Sequence, residues 1–191
     1  MPSDPLQIRL TRAMQRWPQH MQEKLTAGLT PAGVLIPLIE GDAGLRVLLT
    51  QRSAELKHHA GQISFPGGRM EAPDPDIRAT ALRETWEEVG ILPTQVETIG
   101  YLPPMPTISQ YAVTAVVGIV AAGAELAIDS REVDEAFEVP LDFLLDASNQ
   151  RHSEREFGGA RVPIIEYRYE TWRIWGATAM MLAELRRKLQ K

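Results

Sequence analysis

Several features that are common in proteins are missing from this chain, and each absence narrows what it can be. The sequence contains no cysteine, which excludes disulfide bonds, thiolate metal ligands and a cysteine nucleophile. It has no apolar run of about 18 residues, so no membrane span is expected, and its first residues lack the apolar stretch of a signal peptide. Lys and Arg form no long run, and the net charge of −5 argues against a nucleic-acid partner. The cytoplasm is the expected compartment.

The residues that are present are typical of one globular domain. The 191 residues are 44% apolar and 24% charged, an ordinary composition with enough length for a sizeable core. No linker, repeat or low-complexity tract divides the chain, so a single domain over residues 1–191 is predicted. Its core is expected at about residues 30–185, after a helical extension at residues 1–30 that includes a short amphipathic helix at residues 5–16.

Apolar runs and turn residues predict a sheet with few helices. A buried strand is expected at residues 33–39, and a turn at residues 41–44 returns the chain as a hairpin. Pro140 is expected to open a short helix that ends at Leu145. The remaining predicted strands share this apolar, turn-bounded pattern and cover residues 45–51, 96–102, 111–121, 129–139, 155–157 and 162–167, with a strand running into a helix over residues 169–179.

The most informative stretch is GGRMEAPDPDIRATALRETWEEVGI, which covers Gly67 to Ile91. Asp74 is a suitable helix N-cap, Pro75 a suitable first helical residue, and Gly90 a suitable stop. A helix is therefore predicted from Asp74 to Gly90.

Three glutamates, Glu84, Glu87 and Glu88, share one surface of this predicted helix and repel one another. A cation that prefers oxygen ligands, Mg²⁺ or Mn²⁺, would convert that repulsion into ligation. The simpler alternative is a solvated acidic helix face. Two glycines before the helix and Arg83 directly beside Glu84 favour the metal site. Clustering of the carboxylates is also expected to raise the pKa of at least one of them.

This combination of residues resembles the Nudix box, Gly-x5-Glu-x7-Arg-Glu-hydrophobic-x-Glu-Glu-x-Gly-hydrophobic. The chain departs from the pattern in three ways: one extra residue precedes Arg83, Asp74 takes the first acidic position, and Thr85 stands where a hydrophobic residue is usual. The departures put the role of Asp74 in question. The matching residues are Gly68, Arg83, Glu84, Glu87, Glu88, Gly90 and Ile91.

The resemblance implies a fold and a set of site residues. The fold is an α/β Nudix fold, an α/β/α sandwich with a mixed β-sheet. Glu84, Glu87 and Glu88 are the implied ligands of Mg²⁺ or Mn²⁺, and Glu84 or a nearby acid helps to orient or deprotonate water. Arg83 completes the implied catalytic set by holding a carboxylate in place. One further acid from outside the box is often recruited in this family, and Glu132 and Glu135 are the candidates.

The segment before the helix, LLTQRSAELKHHAGQISFPGG, resembles a second motif, LLTxRSxxLRxHxGxxxFPGG. That motif marks the coenzyme A pyrophosphatase branch of the Nudix superfamily, and WRIWGATA at residues 172–179 also resembles that branch. Metal ligation by His58 and His59 is disfavoured because no third ligand has suitable spacing. The residues expected to contact substrate are Arg52, Lys57, His58, Gly67 and Gly68.

The implied reaction is metal-dependent hydrolysis of a small molecule. The expected substrate is coenzyme A or a derivative, cleaved at its diphosphate to 3′,5′-ADP and 4′-phosphopantetheine. Two alternatives stay open: hydrolysis of another nucleoside diphosphate linked to X, such as ADP-ribose or a dinucleotide, and a non-catalytic nucleotide-binding Nudix module. A homodimer is possible, and neither nucleic acid nor a membrane is an expected partner.

Overall fold

The computed structural model describes Leu10, residues 28–157 and residues 159–190. The predicted N-terminal helix lies outside the described residues except for Leu10, which is completely buried in the core.

The described residues form eleven strands and three α-helices. The helices are α1 (Ile77–Val89), α2 (Leu141–Leu145) and α3 (Gly176–Leu189). The strands are β1 (Thr30–Gly41), β2 (Gly44–Arg52), β3 (Ile63–Ser64), β4 (Gly67–Arg69), β5 (Val96–Tyr101), β6 (Met105–Pro106), β7 (Tyr111–Val120), β8 (Val133–Pro140), β9 (Gln150–Phe157), β10 (Ala160–Tyr169) and β11 (Trp172–Trp175).

The larger sheet is mixed, as the sequence predicts. Strands β3, β2, β1, β7 and β5 lie side by side in that order, with β4 on β1, β6 on β7 and β8 on β2. Only the pairing of β1 with β7 is parallel among the described strands. Both strands are almost continuously apolar because side chains on both faces of the sheet centre are buried.

Successive residues of β1 point into two different hydrophobic clusters, as the period of two of a strand requires. Leu35 packs with Ala81 and Leu82 of α1 on one face of the sheet. Ile36 packs on the other face in a larger cluster that is completed by α2, α3 and a second, antiparallel sheet of order β11-β10-β9. The predicted α/β sandwich is confirmed, with the small sheet as an additional part of the second outer layer.

Most predicted strands are confirmed, but the predicted start of the acidic helix is wrong. The N-cap is Asp76, whose side chain accepts from the backbone N–H of Ala79, and α1 begins at Ile77. Asp74 cannot cap because its carboxylate is turned inward to Arg83 and Thr80. The predicted end is confirmed, since Gly90 adopts the left-handed conformation with φ +80°.

The strand predicted over residues 129–139 is shorter than expected and begins at Val133. The residues before it form a turn held by the end of α1, because the N–H of Asp129 donates to the carbonyl of Glu88 over 3.0 Å. Pro140 then leads into α2 at Leu141–Leu145, as predicted. This turn brings Glu132 towards the acidic helix.

Candidate active site

The three glutamates of helix α1 differ in how deeply their side chains are buried. Its buried face, which includes Ala81 and Val89, packs on the larger sheet. Glu88 lies close to that face, and its side chain is 2% exposed, whereas the side chains of Glu84 and Glu87 are 15% and 47% exposed. The cluster therefore runs from the protein interior to open solvent.

Gly67 and Gly68, which were predicted to contact substrate, lie directly against the carboxylates. A Cβ on Gly68 would stand 2.5 Å from the carboxyl carbon of Glu84, so only glycine leaves room for that group. The N–H of Gly67 donates to Oε2 of Glu88 over 3.3 Å. These glycines form strand β4 against β1 and act as a cradle for the glutamates.

Arg83 links the carboxylates of the cluster to one another. Its Nη1 donates to Oε1 of Glu84 over 3.0 Å and to Oε2 of Glu87 over 2.9 Å. Its Nη2 also donates to the carbonyl of Arg69 over 3.2 Å. The charge-assisted hydrogen bond that the sequence predicts for Arg83 is thus present.

Asp74 holds the other side of the Arg83 guanidinium. Nε and Nη2 of Arg83 donate to the two carboxylate oxygens of Asp74 over 3.0 and 2.9 Å, and Thr80 donates its hydroxyl as well. These bonds hold the pKa of Asp74 far below its usual range, and they raise the pKa of Arg83. Asp74 is therefore an ionised anchor for Arg83.

The buried Glu88 is the most perturbed acid of the site. Its pKa is raised to about 8, chiefly by burial and in part by the charges of Glu84 and Glu132, while Arg52 and the N–H of Gly67 oppose the rise. The pKa of Glu84 is raised by burial first and by neighbouring carboxylates second. The predicted rise is confirmed, although burial contributes more to it than clustering does.

Arg52 is the basic residue closest to this acid. Its Nη1 lies 3.6 Å from Oε1 of Glu88, and its buried Nε has no hydrogen-bond partner among the described residues. Arg52 ends strand β2, where a bulge in the pairing with β8 shifts the register between Gln51 and Arg52. The segment predicted to contact substrate therefore begins at the acidic cluster.

Lys57 and His58 lie farther along that segment and are exposed on the loop between β2 and β3. The loop is fixed at its base, where the N–H of Ser53 donates to the carbonyl of Glu132 over 2.8 Å and the N–H of Ala54 donates to Asp134 over 3.1 Å. The structure thus places the loop beside the cluster, with both side chains open to solvent.

Glu132 belongs to the acidic cluster. The sequence alone could not decide whether Glu132 or Glu135 is the further acid. The charge of Glu132 raises the pKa of both Glu84 and Glu88. Glu135 lies on β8, paired in register with Gln51. The turn before β8 is what brings Glu132 forward, and neither residue type nor spacing announces that turn.

The cluster fits a divalent cation by chemistry. It offers carboxylate oxygens only, its acids repel one another, and Gly68 leaves space for the Glu84 carboxylate. Within the described residues, however, no three acidic or histidine side chains already converge on one ion position. Arg83 occupies oxygens of Glu84 and Glu87 instead, so these side chains must reorient when an ion binds.

Comparison with known proteins agrees with this fold. Residues 29–157 match the family model described as the NUDIX domain. Two relatives are each named uncharacterized Nudix hydrolase NudL. The Pectobacterium atrosepticum protein is 42% identical, over 81% of this chain and 80% of its own length. The Photorhabdus laumondii protein is 39% identical, over 83% of this chain and 84% of its own length.

Solved structures share the fold at low sequence identity. A MutT/nudix family protein from Enterococcus faecalis matches with a TM-score of 0.52 and 14% identity over 100% of this chain and 76% of its own. The Nudix hydrolase RenU from M. smegmatis matches with a TM-score of 0.52 and 22% identity over 61% of this chain and 73% of its own.

The chain belongs to the Nudix family. It is a Nudix hydrolase, and the enzymes of this family act on pyrophosphate bonds and generally use divalent metals such as Mg²⁺ or Mn²⁺. None of the described helices is long and apolar enough to span a membrane.

Proposed function

We propose that this hydrolase cleaves the diphosphate of coenzyme A or its derivatives to 3′,5′-ADP and 4′-phosphopantetheine. One observation carries the proposal: Arg52, in the segment that resembles the coenzyme A pyrophosphatase motif, lies 3.6 Å from Glu88 of the acidic helix. The motif that suggests the substrate and the carboxylates that suggest the chemistry therefore belong to one site.

In this proposal Glu84, Glu87 and Glu88 hold Mg²⁺ or Mn²⁺. The cation, when bound, neutralises charge on the diphosphate oxygens and lowers the pKa of water. Water adds to one phosphorus while the bridging P–O bond breaks, and the bridging oxygen leaves with the other phosphoryl group. Glu84 or Glu132 accepts the proton of the attacking water, and Arg83 positions Glu84 and Glu87.

The basic side chains near the cluster are proposed to bind the anionic substrate. Arg52 lies at the cluster itself, while Lys57 and His58 are exposed on the loop that follows it. An acidic protein needs such local cations to attract a diphosphate, and guanidinium and ammonium groups both suit phosphate oxygens. Gly67 and Gly68 contribute by holding the carboxylates in position.

The decisive experiment is product identification after incubation of the purified protein with coenzyme A and Mn²⁺. The expected products are 3′,5′-ADP and 4′-phosphopantetheine. Glu88→Gln is expected to lower kcat by at least about 100-fold, because a buried ligand is lost. Glu97→Gln is the matched control, since Glu97 is exposed on β5 and lies outside the cluster.

A substrate panel separates this proposal from its alternatives. Turnover of ADP-ribose or a dinucleotide without turnover of coenzyme A would reject coenzyme A and leave the diphosphatase chemistry intact. A parent protein that binds nucleotides but hydrolyses none of the panel would favour the non-catalytic module. The single domain over residues 1–191, the cytoplasmic location and the possible homodimer remain predictions from the sequence.

A further inference from the structure

The small sheet β9-β10-β11 belongs to a basic part of an otherwise acidic chain. Residues 150–191 carry nine Lys and Arg and five Asp and Glu, whereas residues 1–149 carry eleven and twenty. The net charge of −5 thus conceals a C-terminal part with a charge of +4 and a remainder with a charge of −9. The negative net charge therefore does not exclude an anionic partner that binds the C-terminal part.

The strand registers gather much of that positive charge on one face of the small sheet. Because side chains alternate between faces, residues paired across neighbouring strands share a face, and the face turned away from Tyr167 and the core is the polar one. The face also carries Ser153, Val162 and the buried Ile164. Its charged and aromatic side chains, called the basic sheet face below, are Arg151, Arg155, Glu166, Arg168, Arg173 and Trp175.

Two contacts fix the arginines on this face. Glu166, only 6% exposed, accepts from Nε and Nη2 of Arg173 over 2.8 and 2.6 Å and from Nε of Arg168 over 3.1 Å. The guanidinium carbons of Arg155 and Arg173 lie 5.2 and 5.4 Å from the ring centre of Trp175. The guanidinium groups of Arg155, Arg168 and Arg173 are therefore held by neighbours, which reduces the entropy lost when they bind an anion.

The positive charge on this face is not neutralised. The face carries four guanidinium groups and one carboxylate, Glu166, which pairs with Arg168 and Arg173. Arg151 and Arg155 are exposed and have no ion-pair partner among the described residues. The side chain of Arg168 is 55% exposed. The exposed guanidinium groups of Arg151, Arg155 and Arg168 therefore offer N–H donors to an anion.

We propose that the basic sheet face binds the phosphate backbone of single-stranded nucleic acid without regard to base sequence. The planar donor fork of arginine matches phosphate oxygens, and arginines spaced along extended strands can follow an extended backbone. Trp175 is already engaged by two guanidinium groups, so phosphate contacts rather than base stacking supply the binding energy. This surface lies on the opposite side of the larger sheet from α1.

An anionic membrane fits this face less well. Faces that lie on membranes bury several apolar side chains in addition to presenting basic ones. On this face Val162, paired with Arg155, is the large apolar side chain that is exposed among the described residues. Nucleic acid is therefore the better match.

The test is fluorescence anisotropy of a labelled 20-nucleotide oligo-dT with the full chain, between 50 and 300 mM salt. Binding is expected to weaken with a slope of about −2 to −3 in log K against log[salt], since each phosphate contact with a single strand contributes about −0.7. The triple variant Arg151→Gln, Arg155→Gln, Arg168→Gln should bind at least tenfold more weakly with a slope nearer zero. Arg173 is retained because Glu166 depends on it.

Arg161→Gln is the matched control. Arg161 is exposed on the same hairpin but lies on the other face, paired with Glu156, so its loss should leave oligonucleotide binding unchanged. The triple variant should also keep the hydrolytic activity of the parent. Circular dichroism checks that the variants are folded. If the triple variant does not fold, Arg151→Gln alone replaces it and should lower the affinity for the oligonucleotide by about twofold or more.

Three results would overturn the proposal. The first is no binding of the parent at 50 mM salt, and the second is a triple variant that binds as tightly as the parent. The third result is binding of the parent to phosphatidylglycerol-containing vesicles with none to the oligonucleotide, which would assign the face to a membrane instead.

Discussion

Asp74 and Arg83 form a two-pronged ion pair in which both oxygens of an almost completely buried carboxylate accept from one guanidinium group. The remaining donors of Arg83 reach Glu84 and Glu87, so Asp74 acts on the acidic cluster without touching it. The acid that departs from the usual box pattern is thus the residue on which the orientation of two proposed metal ligands depends.

Replacing Asp74 should therefore affect stability and activity together. In Asp74→Asn the partly buried Arg83 loses the most buried of its three carboxylate partners, and the free energy of unfolding at pH 7 should fall by about 3 kcal/mol. Urea denaturation measures this change. Asp76→Asn is the control, since asparagine caps a helix as well as aspartate does. Equal stability of Asp74→Asn and the parent would show that the pair contributes nothing.

The stability of the metal-free protein should fall as the pH rises from about 5 to about 8. Burial is the main reason that the pKa of Glu88 rises from an ordinary value of 4.5 to about 8 in the folded protein. Between these values the native state holds a proton that the unfolded state has released, so alkali favours unfolding, by at most about 1.4 kcal/mol per pH unit. Thermal unfolding in chelator measures this trend, and Glu88→Gln should flatten it. A parent slope that matches the variant's would contradict the raised pKa.

Gly68→Ala should impair hydrolysis more than folding. The new methyl group would stand 2.5 Å from the carboxyl carbon of Glu84 and would displace that side chain. Loss of correct ligand placement is expected to weaken Mn²⁺ binding or activity by about 10- to 100-fold. Titration calorimetry with Mn²⁺ and steady-state kinetics measure the two effects.

Gly44→Ala provides the comparison for that variant. Gly44 has φ +116° and open space around it, so alanine there is strained without touching the site. It should lower stability by about 1 kcal/mol and leave the activity of the folded protein intact. The prediction fails if Gly68→Ala retains parental Mn²⁺ affinity and kcat.

Arg52→Gln should move the acid limb of the pH profile. Arg52 lowers the pKa of Glu88, so its removal should raise that pKa and shift the rise of kcat/KM to higher pH. KM for the diphosphate substrate should also increase, because a cation beside the site is lost. Arg131→Gln, at a site 87% exposed and paired with Asp129, is the control. An unshifted profile would place Arg52 outside the functional cluster.

The sequence was sufficient to predict the mixed sheet, the acidic helix and its end at Gly90. The mixed sheet follows from the resemblance to the Nudix box, whereas the strands and the helix end follow from local patterns, namely apolar runs in β1 and β7 and a glycine after the helix. The helix start could not be chosen locally, because Asp74 and Asp76 are both good caps. Contact with Arg83, nine residues away, decides between them.

The membership of Glu132 in the cluster also lay beyond local reasoning. It depends on the turn that the backbone of Glu88 holds through Asp129, and on the bulge at Arg52. The glycines were predicted to meet substrate, but the roles of Gly67 and Gly68 become visible only when β4 is placed against α1. Each of these features is a product of tertiary packing.

The second sheet and α3 close one side of the hydrophobic interior, with Tyr167, Ile174 and Leu182 all at 1% exposure or less. The stretch that matches the family model ends at residue 157, before any of these side chains. A protein shortened to that stretch would leave Ile36 and Val47 facing water. The hydrophobic interior of this chain consequently extends beyond its family signature, and side chains of residues 159–190 complete the core that the matched stretch begins.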